Sequence, residues 1–329
     1  MNETPQADFQ DLTPDKIIQA VESHTDLTLT GLTNPLPSYI NRVYELQAED
    51  GARYVAKFYR PGRWSAQALM EEHDFMEDCY DMDIPVAVPE ILKSDDTLGQ
   101  TEGGIYFALF PRMGGRLWEF QGDDEQWYRL GQLLGRMHTA GAREKAIHRP
   151  VLSPDGTFLR DSREILEKDW ISGSYRREFE DITMKLYDVI KPLLADEPFL
   201  RIHGDFHCGN ILDRMEEGLM IIDFDDMATG PAAQDIWLLL PGSAAECRKE
   251  FFMLLEGYQE FRFLSPRVIG QIEPLRAMRM VYYLAWCGRQ KDDFRFRHNF
   301  PDWGSDAFWE REIRDLKNQM QEILDFDKA

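Results

Sequence analysis

Cysteine is scarce in this 329-residue chain: Cys79, Cys208, Cys247 and Cys287 are scattered, and none falls at zinc-type or redox spacing. That argues against a zinc module or a redox motif of the usual kind. Long apolar runs are missing too, and none approaches the ~20 residues of a membrane span. Residues 1–8 are polar and acidic, unlike a signal peptide. A cytoplasmic protein with no membrane partner is the expectation. Positive charge is in deficit, with 37 Lys and Arg against 59 Asp and Glu, for a net charge of -22. Such a surface repels nucleic acid and anionic membrane faces, so no nucleic-acid partner is expected. No internal repeat or low-complexity tract is visible.

What is present suits a large globular protein. Hydrophobic residues make up 43% and aromatics 12%, ample for a packed core. At this length the chain is one large domain or two lobes, because single cores stop growing near ~250–300 residues. Residues 12–21 open a helix, with Thr13 as N-cap and Pro14 at its first position. A Gly/Pro/Asn/Ser-rich stretch at 31–38 leads into a β-rich run at 39–46. The turn at 49–51 then precedes a second run at 53–59, which together read as a hairpin. Residues 65–80 read as a helix, with Ala68, Leu69, Phe75 and Met76 at three-to-four spacing. Residues 85–91 and 105–110 read as further strands. Beyond 111–115 the pattern turns helical, at 127–140, 162–194, 232–240, 244–261, 266–290 and 307–326. The expectation is an α+β, two-lobed architecture: a small antiparallel β-rich nucleotide-binding lobe at 1–110 and a large, mainly helical catalytic and substrate lobe at 111–329.

The chemistry concentrates in IHGDFHCGNIL at 202–212 and LMIIDFDD at 219–226. Asp205 stands five residues before Asn210, and Asp223 follows thirteen residues after Asn210. That Asp-to-Asn spacing matches the protein-kinase catalytic loop, in which Asp accepts the hydroxyl proton and Asn binds magnesium. A following strand that ends in Asp-Phe supplies the other metal carboxylate. Magnesium takes hard oxygens, usually one or two carboxylates plus substrate phosphates, so one Asn and one Asp suffice. HGD alone reads as a turn, and Asp223 alone as a strand-end cap. The joint pattern points to phosphoryl transfer with ATP and Mg2+ in a protein-kinase-like fold.

Lys57, in VAKF at 55–58, falls where a kinase places the Lys that contacts the α/β-phosphates. Alone it reads equally as a solvent-facing strand residue. Its partner is a Glu on the following helix, Glu71 or Glu72, and Glu72 is preferred because Phe75 and Met76 turn that face inward. SYINR at 38–42 lies where a phosphate-covering loop belongs, yet it contains no glycine and is neither Walker A nor G-x-G-x-x-G. Ser38 and Asn41 are its candidate phosphate donors, with turn formation the other reading of Asn41. Asp235 reads as a helix N-cap. His203 and His207 read as loop-positioning groups, and Cys208 as a small loop residue rather than a reactive thiol. Arg276 and Arg279, beside an aromatic stripe, suit an anionic substrate, the catalytic loop or a structural salt bridge. The basic, aromatic segment at 294–303 reads as a lid or a substrate contact.

HGDFHCGNIL, LMIIDFDD, GPAAQDIW at 230–237 and LGRMH at 134–138 resemble the aminoglycoside-phosphotransferase/choline-kinase superfamily of kinase-like folds. More narrowly, SYINRVYEL, VAKFYRPGRW, EEHDF, IPVAVP and IEPLRAMRMVYYLAW resemble a bacterial group of serine/threonine protein kinases of the stress response. Together these motifs cover most of residues 12–309. The resemblance implies Asp205 as base, Asn210 and Asp223 on magnesium, Lys57 on the phosphates and 38–41 as the nucleotide loop. It also gives Asp235 a loop-bracing role. The partners implied are ATP and protein Ser/Thr substrates, with a small alcohol or amine as the alternative acceptor, and the chain is expected to work as a monomer. DFD replaces the kinase DFG at 223–225 and no Ala-Pro-Glu segment is visible, which sets activation-loop control in doubt and offers Asp225 to the metal shell.

Overall fold

A computed structural model describes residues 9–195 and 198–326; residues 1–8, on which the leader reading rests, lie outside it. In chain order come helix α1 (Pro14–His24), strands β1 (Leu29–Leu36), β2 (Arg42–Ala48) and β3 (Arg53–Phe58), and helix α2 (Ala66–Tyr80). Strands β4 (Gly99–Gln100), β5 (Tyr106–Pro111) and β6 (Arg116–Leu117) precede helices α3 (Asp124–Gly141), α4 (Leu159–Glu167) and α5 (Arg176–Leu193). Strands β7 (Phe199–Ile202), β8 (Ile211–Asp213), β9 (Leu219–Ile221) and β10 (Ala228–Pro231) follow. Helices α6 (Ala233–Trp237), α7 (Arg248–Gln259), α8 (Ile272–Gln290), α9 (Phe294–Asn299) and α10 (Asp306–Phe326) complete the fold. The class is α+β as expected, with a small antiparallel sheet part and a larger helical part. Among the described residues no helix is long and apolar enough to cross a membrane.

Contacts divide the chain into two compact units. The first comprises Met1–Glu119, Ala146–Arg149 and Cys208–Asp225, and the second comprises Phe120–Lys145, Pro150–His207 and Asp226–Ala329. The expected boundary at 110/111 follows the chain in one cut, whereas contacts draw two later segments into the first unit.

In the first unit five antiparallel strands run in the order β1-β2-β3-β5-β4. Residues alternate faces along a strand, so Ala56 and Phe58 point one way and Lys57 and Tyr59 the other. Ala56 and Phe58 join Leu46, Phe107 and Leu109 in a core closed by Ile17, Ala20 and Val21 of α1. Phe58 and Phe107 stack at 5.4 Å. On the opposite face Tyr59 and Ala108 pack with Leu69 of α2. This period-two alternation sends Lys57 toward α2. Thr13 and Ser65 cap α1 and α2 through their hydroxyls, each worth ~1 kcal/mol of helix stability.

Two local readings are corrected. The turn-rich stretch at 31–38 is largely strand β1, at the sheet edge. Pro35 is tolerated opposite Tyr44 because an edge strand can spare its N–H, and the register slips between Leu29 and Thr33, where Gly31 has φ +90°. Residues 85–91 do not form a strand. Val86 makes only an isolated parallel bridge to Ile221, since Pro85 and Pro89 have no N–H to give a ladder.

In the second unit β7 pairs antiparallel with β10, and helices make up the rest. Helices α3 and α7 approach closely through Gly131, Gly135 and Gly257. Phe179 and Trp309 join α5 to α10, as Lys317 and Glu178 do at the surface.

Candidate active site

In the first unit, Lys57 is only 8% exposed. Its Nζ lies 3.1 Å from Glu72 Oε1, 3.3 Å from Asp223 Oδ1 and 3.5 Å from Asp225 Oδ1. Burial pushes its pKa down, but Glu72, Asp225 and Asp223 outweigh that and hold it well above the ordinary lysine value. The carboxylates therefore favour the charged form of Lys57. Of the two adjacent carboxylates, Glu72 is the one that reaches Lys57. Glu71 turns to the backbone N–H groups of Ile147, His148 and Arg149.

Two cations that the sequence reading gave no role complete the cluster. Arg63 Nη1 binds Asp225 Oδ2 at 2.5 Å, and Arg149 Nη2 binds Glu72 Oε2 at 2.5 Å. Both stack on Trp64. Arg63 and Trp64 stood in VAKFYRPGRW, but nothing in their local spacing announced a carboxylate 162 residues away. Burial raises the Asp225 pKa, yet Arg63, Lys57 and Arg149, with a hydrogen bond from Asn41, drive it well below the carboxylate range.

Asn210 and Asp223 meet at one end of a hairpin. β8 pairs Ile211 with Ile221, and Ile222 N–H donates to the Asn210 carbonyl at 3.0 Å. That register carries Asn210 and Asp223 to the same end. Asp223 has φ +64°, a left-handed conformation that Asp tolerates better than most residues, and its side chain is 54% exposed. The oxygens here fit a hard divalent cation: the Asn210 amide, the exposed Asp223 carboxylate, and the buried Asp225 Oδ1, which makes no hydrogen bond although it lies 3.5 Å from Lys57 Nζ. Among the described residues no group of three His, Cys, Asp or Glu could hold a metal by itself. A cation here would be completed by substrate oxygens and water.

The β1–β2 loop carries the other two candidates. Ser38 is half-buried. Asn41 is buried, and its Oδ1 accepts from Arg60 N–H at 3.0 Å while its amide reaches Asp225. Asn41 thus ties the loop to the carboxylate cluster.

Asp205 belongs to the second unit, on a loop pinned from several sides. Asp235 is fully buried inside α6 rather than capping it, and its oxygens accept the N–H groups of His203 and Gly204, each at 2.8 Å. The same carboxylate meets His138 Nε2 at 3.0 Å, and His138 Nδ1 meets Tyr258 Oη at 3.0 Å. LGRMH supplies that His, so Asp235 braces the loop as the resemblance implied. His203 Nδ1 accepts from Asp205 N–H at 3.3 Å, and Gln234 donates to the Gly204 carbonyl at 3.2 Å. Gly204 has φ +81°, and a Cβ there would lie 2.2 Å from the Asp226 carbonyl oxygen. Gly204→Ala is expected to cost about 2–3 kcal/mol, from left-handed strain plus a clash with backbone; a urea unfolding midpoint measures it.

The Asp205 carboxylate is held by Arg279 Nη2 at 2.6 Å on Oδ1 and by His207 Nε2 at 3.5 Å on Oδ2. Burial raises its pKa, but the His207 hydrogen bond and the Arg279 charge, with His203, bring it down to about 2. Arg279 therefore contacts the loop, and its neighbour Arg276 pairs with Glu273 and the Gly242 carbonyl. Burial pushes the Cys208 thiol up, away from a reactive thiolate. The side chains of Phe294, Arg295 and Arg297, on which the lid reading partly rests, lie outside the described residues.

A buried Lys–Glu pair, a hairpin carrying Asn and Asp, and a braced HGD loop define a phosphoryl-transfer enzyme of the kinase-like class. The chain belongs to the phosphotransferase enzyme family, whose match covers residues 33–275. Stress response kinase A of Escherichia coli strain K12 is 40% identical over 306 residues, 92% of this chain and 91% of that relative. Serine/threonine protein kinase RdoA of Salmonella typhimurium strain LT2 is 39% identical over 307 residues, again 92% of this chain and 91% of that relative. Among solved structures, amicoumacin kinase hAmiN, in complex with AMP-PNP, Ca2+ and Ami, matches with a TM-score of 0.69 at 19% identity. That match covers 94% of this chain and 93% of that one. The microcompartment-associated aminopropanol kinase matches with a TM-score of 0.68 at 16% identity, covering 93% and 95%. Family and relatives together support kinase activity, and the solved structures share the fold.

Proposed function

We propose that this protein transfers the γ-phosphoryl group of ATP, with magnesium, to Ser or Thr hydroxyls of protein substrates in a stress response. The observation that carries the reading is the position of Lys57, whose ammonium is shared by Glu72 and Asp223, with Asn210 at the same hairpin end as Asp223. Lys57, steered by Glu72, holds the phosphates, and Ser38 and Asn41 order the loop that covers them. Asn210 and Asp223 hold the metal, and Asp225 supports that shell. When bound, magnesium would neutralise phosphate charge as the group transfers. Asp205 orients the acceptor hydroxyl and takes its proton late, while Arg279 and His207 keep its carboxylate ionised and aimed. Catalysis of this kind is mostly positioning and charge neutralisation.

The protein acceptor is supported by the name of the Salmonella relative. A second reading keeps the chemistry and changes the acceptor to a small alcohol or amine, supported by the names of the solved neighbours and by a net charge of -22, which suits a cationic acceptor. Purified protein with γ-labelled ATP and magnesium, with and without a generic basic protein, separates the two. Label on protein Ser or Thr is the expected result. ATP consumption with label only in small molecules would move the acceptor to the second class.

A further inference from the structure

We infer that Ala146–Arg149 is a built-in brace that keeps the Lys57–Glu72 pair assembled, with Arg149 as its positioning residue; this rests on the proposed nucleotide role of that pair. These four residues cluster with the first unit, although the chain on both sides of them clusters with the second. Their backbone is captured by Glu71, whose carboxylate accepts the N–H of Ile147 at 2.7 Å, of His148 at 2.9 Å and of Arg149 at 3.0 Å. Three successive N–H groups on one anion fix the segment on the flank of α2.

The side chain of Arg149 then points inward and is only 3% exposed. Its Nε donates to the Ala68 carbonyl at 2.7 Å, Nη1 to the Asp225 carbonyl at 2.9 Å, and Nη2 to Glu72 Oε2 at 2.5 Å. The guanidinium also lies 4.5 Å from the Trp64 ring centroid. One rigid fork therefore joins the first turn of α2, the carboxylate that pairs with Lys57, and the segment carrying Asp223. Glu72 divides its oxygens between two cations, Oε1 to Lys57 and Oε2 to Arg149. A lysine cannot reproduce this, because its three donors share one nitrogen. The adjacent carboxylates have opposite jobs: Glu71 holds the brace, and the brace holds Glu72.

In protein kinases the Lys–Glu pair and the metal Asp must both be in place, and activation-loop phosphorylation controls that assembly. Here Arg149 joins the carboxylate that pairs with Lys57 to the segment carrying Asp223, in a chain without an Ala-Pro-Glu segment.

The test is a double-mutant cycle read by titrating Mg2+·ATP into the full chain. Arg149→Met and Glu72→Gln should each weaken binding about tenfold, and the double variant should be no weaker than the worse single one. Arg149→Lys should recover part of the affinity, since it restores the charge without the fork. Additive losses, or unchanged affinity in an Arg149→Met protein of lowered melting temperature, would each overturn the brace. If Arg149→Met does not fold, Glu71→Gln takes its place in the cycle under the same criterion. A wild type that binds no Mg2+·ATP overturns the proposed function before any variant is made, whereas a wild type that binds and an additive cycle overturn the brace alone.

Discussion

Asp205→Asn is expected to lower kcat about a thousandfold while leaving ATP affinity nearly unchanged, within the range general-base catalysis supplies. The expectation follows from where the side chain's contacts lie. Asp205 is held by Arg279 and His207 in the second unit, whereas the ion pairs of Lys57 run to Glu72, Asp223 and Asp225 in the first. On the roles proposed above, a change at 205 removes the acceptor's proton partner and leaves Lys57 in its ion-pair network. Asn is a better probe than Ala. It keeps the shape and an oxygen for Arg279, whereas Ala removes the nearest carboxylate from a guanidinium that is largely buried. The pH profile offers an independent check. With its carboxyl lowered to about 2 by His207 and Arg279, Asp205 stays ionised through the ordinary Asp range, so its protonation should put no acid limb on wild-type kcat/KM there. Single-turnover transfer and equilibrium ATP titration measure the two halves separately. An Asn variant that loses transfer and nucleotide affinity together would remove Asp205 from the acceptor side.

The sequence displayed some parts of this site and hid others for identifiable reasons. Lys57, Asp205, Asn210 and Asp223 could be proposed from short runs with kinase-like spacing, and the structure pairs Lys57 with Glu72 and carries Asn210 and Asp223 to one hairpin end. The choice of Glu72 over Glu71 was legible from the inward face of α2, on which Phe75 and Met76 also lie. Arg63 and Arg149 were not, since an ion pair 162 residues apart in one case and 77 in the other leaves no local period. Asp235 misled: local pattern placed it at a helix start, but its carboxylate faces back to His203 and Gly204, thirty-odd residues upstream. Strand β1 was hidden by its own composition, because Gly31, Asn34 and Pro35 are turn formers that an edge strand can absorb. Residues 85–91 failed in the opposite sense. Their apolar residues suited a strand, while Pro85 and Pro89 denied it a ladder.

Asp223→Asn should raise the magnesium concentration needed for half-maximal activity roughly a hundredfold, matching the loss of one charge-assisted contact worth about 3 kcal/mol. Asn is again the informative substitution, and the backbone says why. With φ +64° at this position, Ala would add left-handed strain to the loss of a ligand, whereas Asn visits that region readily. Asn also keeps an oxygen donor and changes mainly the charge. The Lys57 pair should survive, because Glu72 Oε1 at 3.1 Å and Asp225 Oδ1 at 3.5 Å remain around the ammonium. The variant should therefore approach wild-type turnover at high magnesium, with the defect lying in metal affinity rather than in the chemical step. Asp205→Asn should show the reverse, a low plateau that no magnesium concentration lifts. Activity titrated against magnesium at saturating ATP, for both variants side by side, reads this difference directly. An unchanged metal requirement in Asp223→Asn would take Asp223 out of the metal shell and leave its ion pair with Lys57 as its whole role.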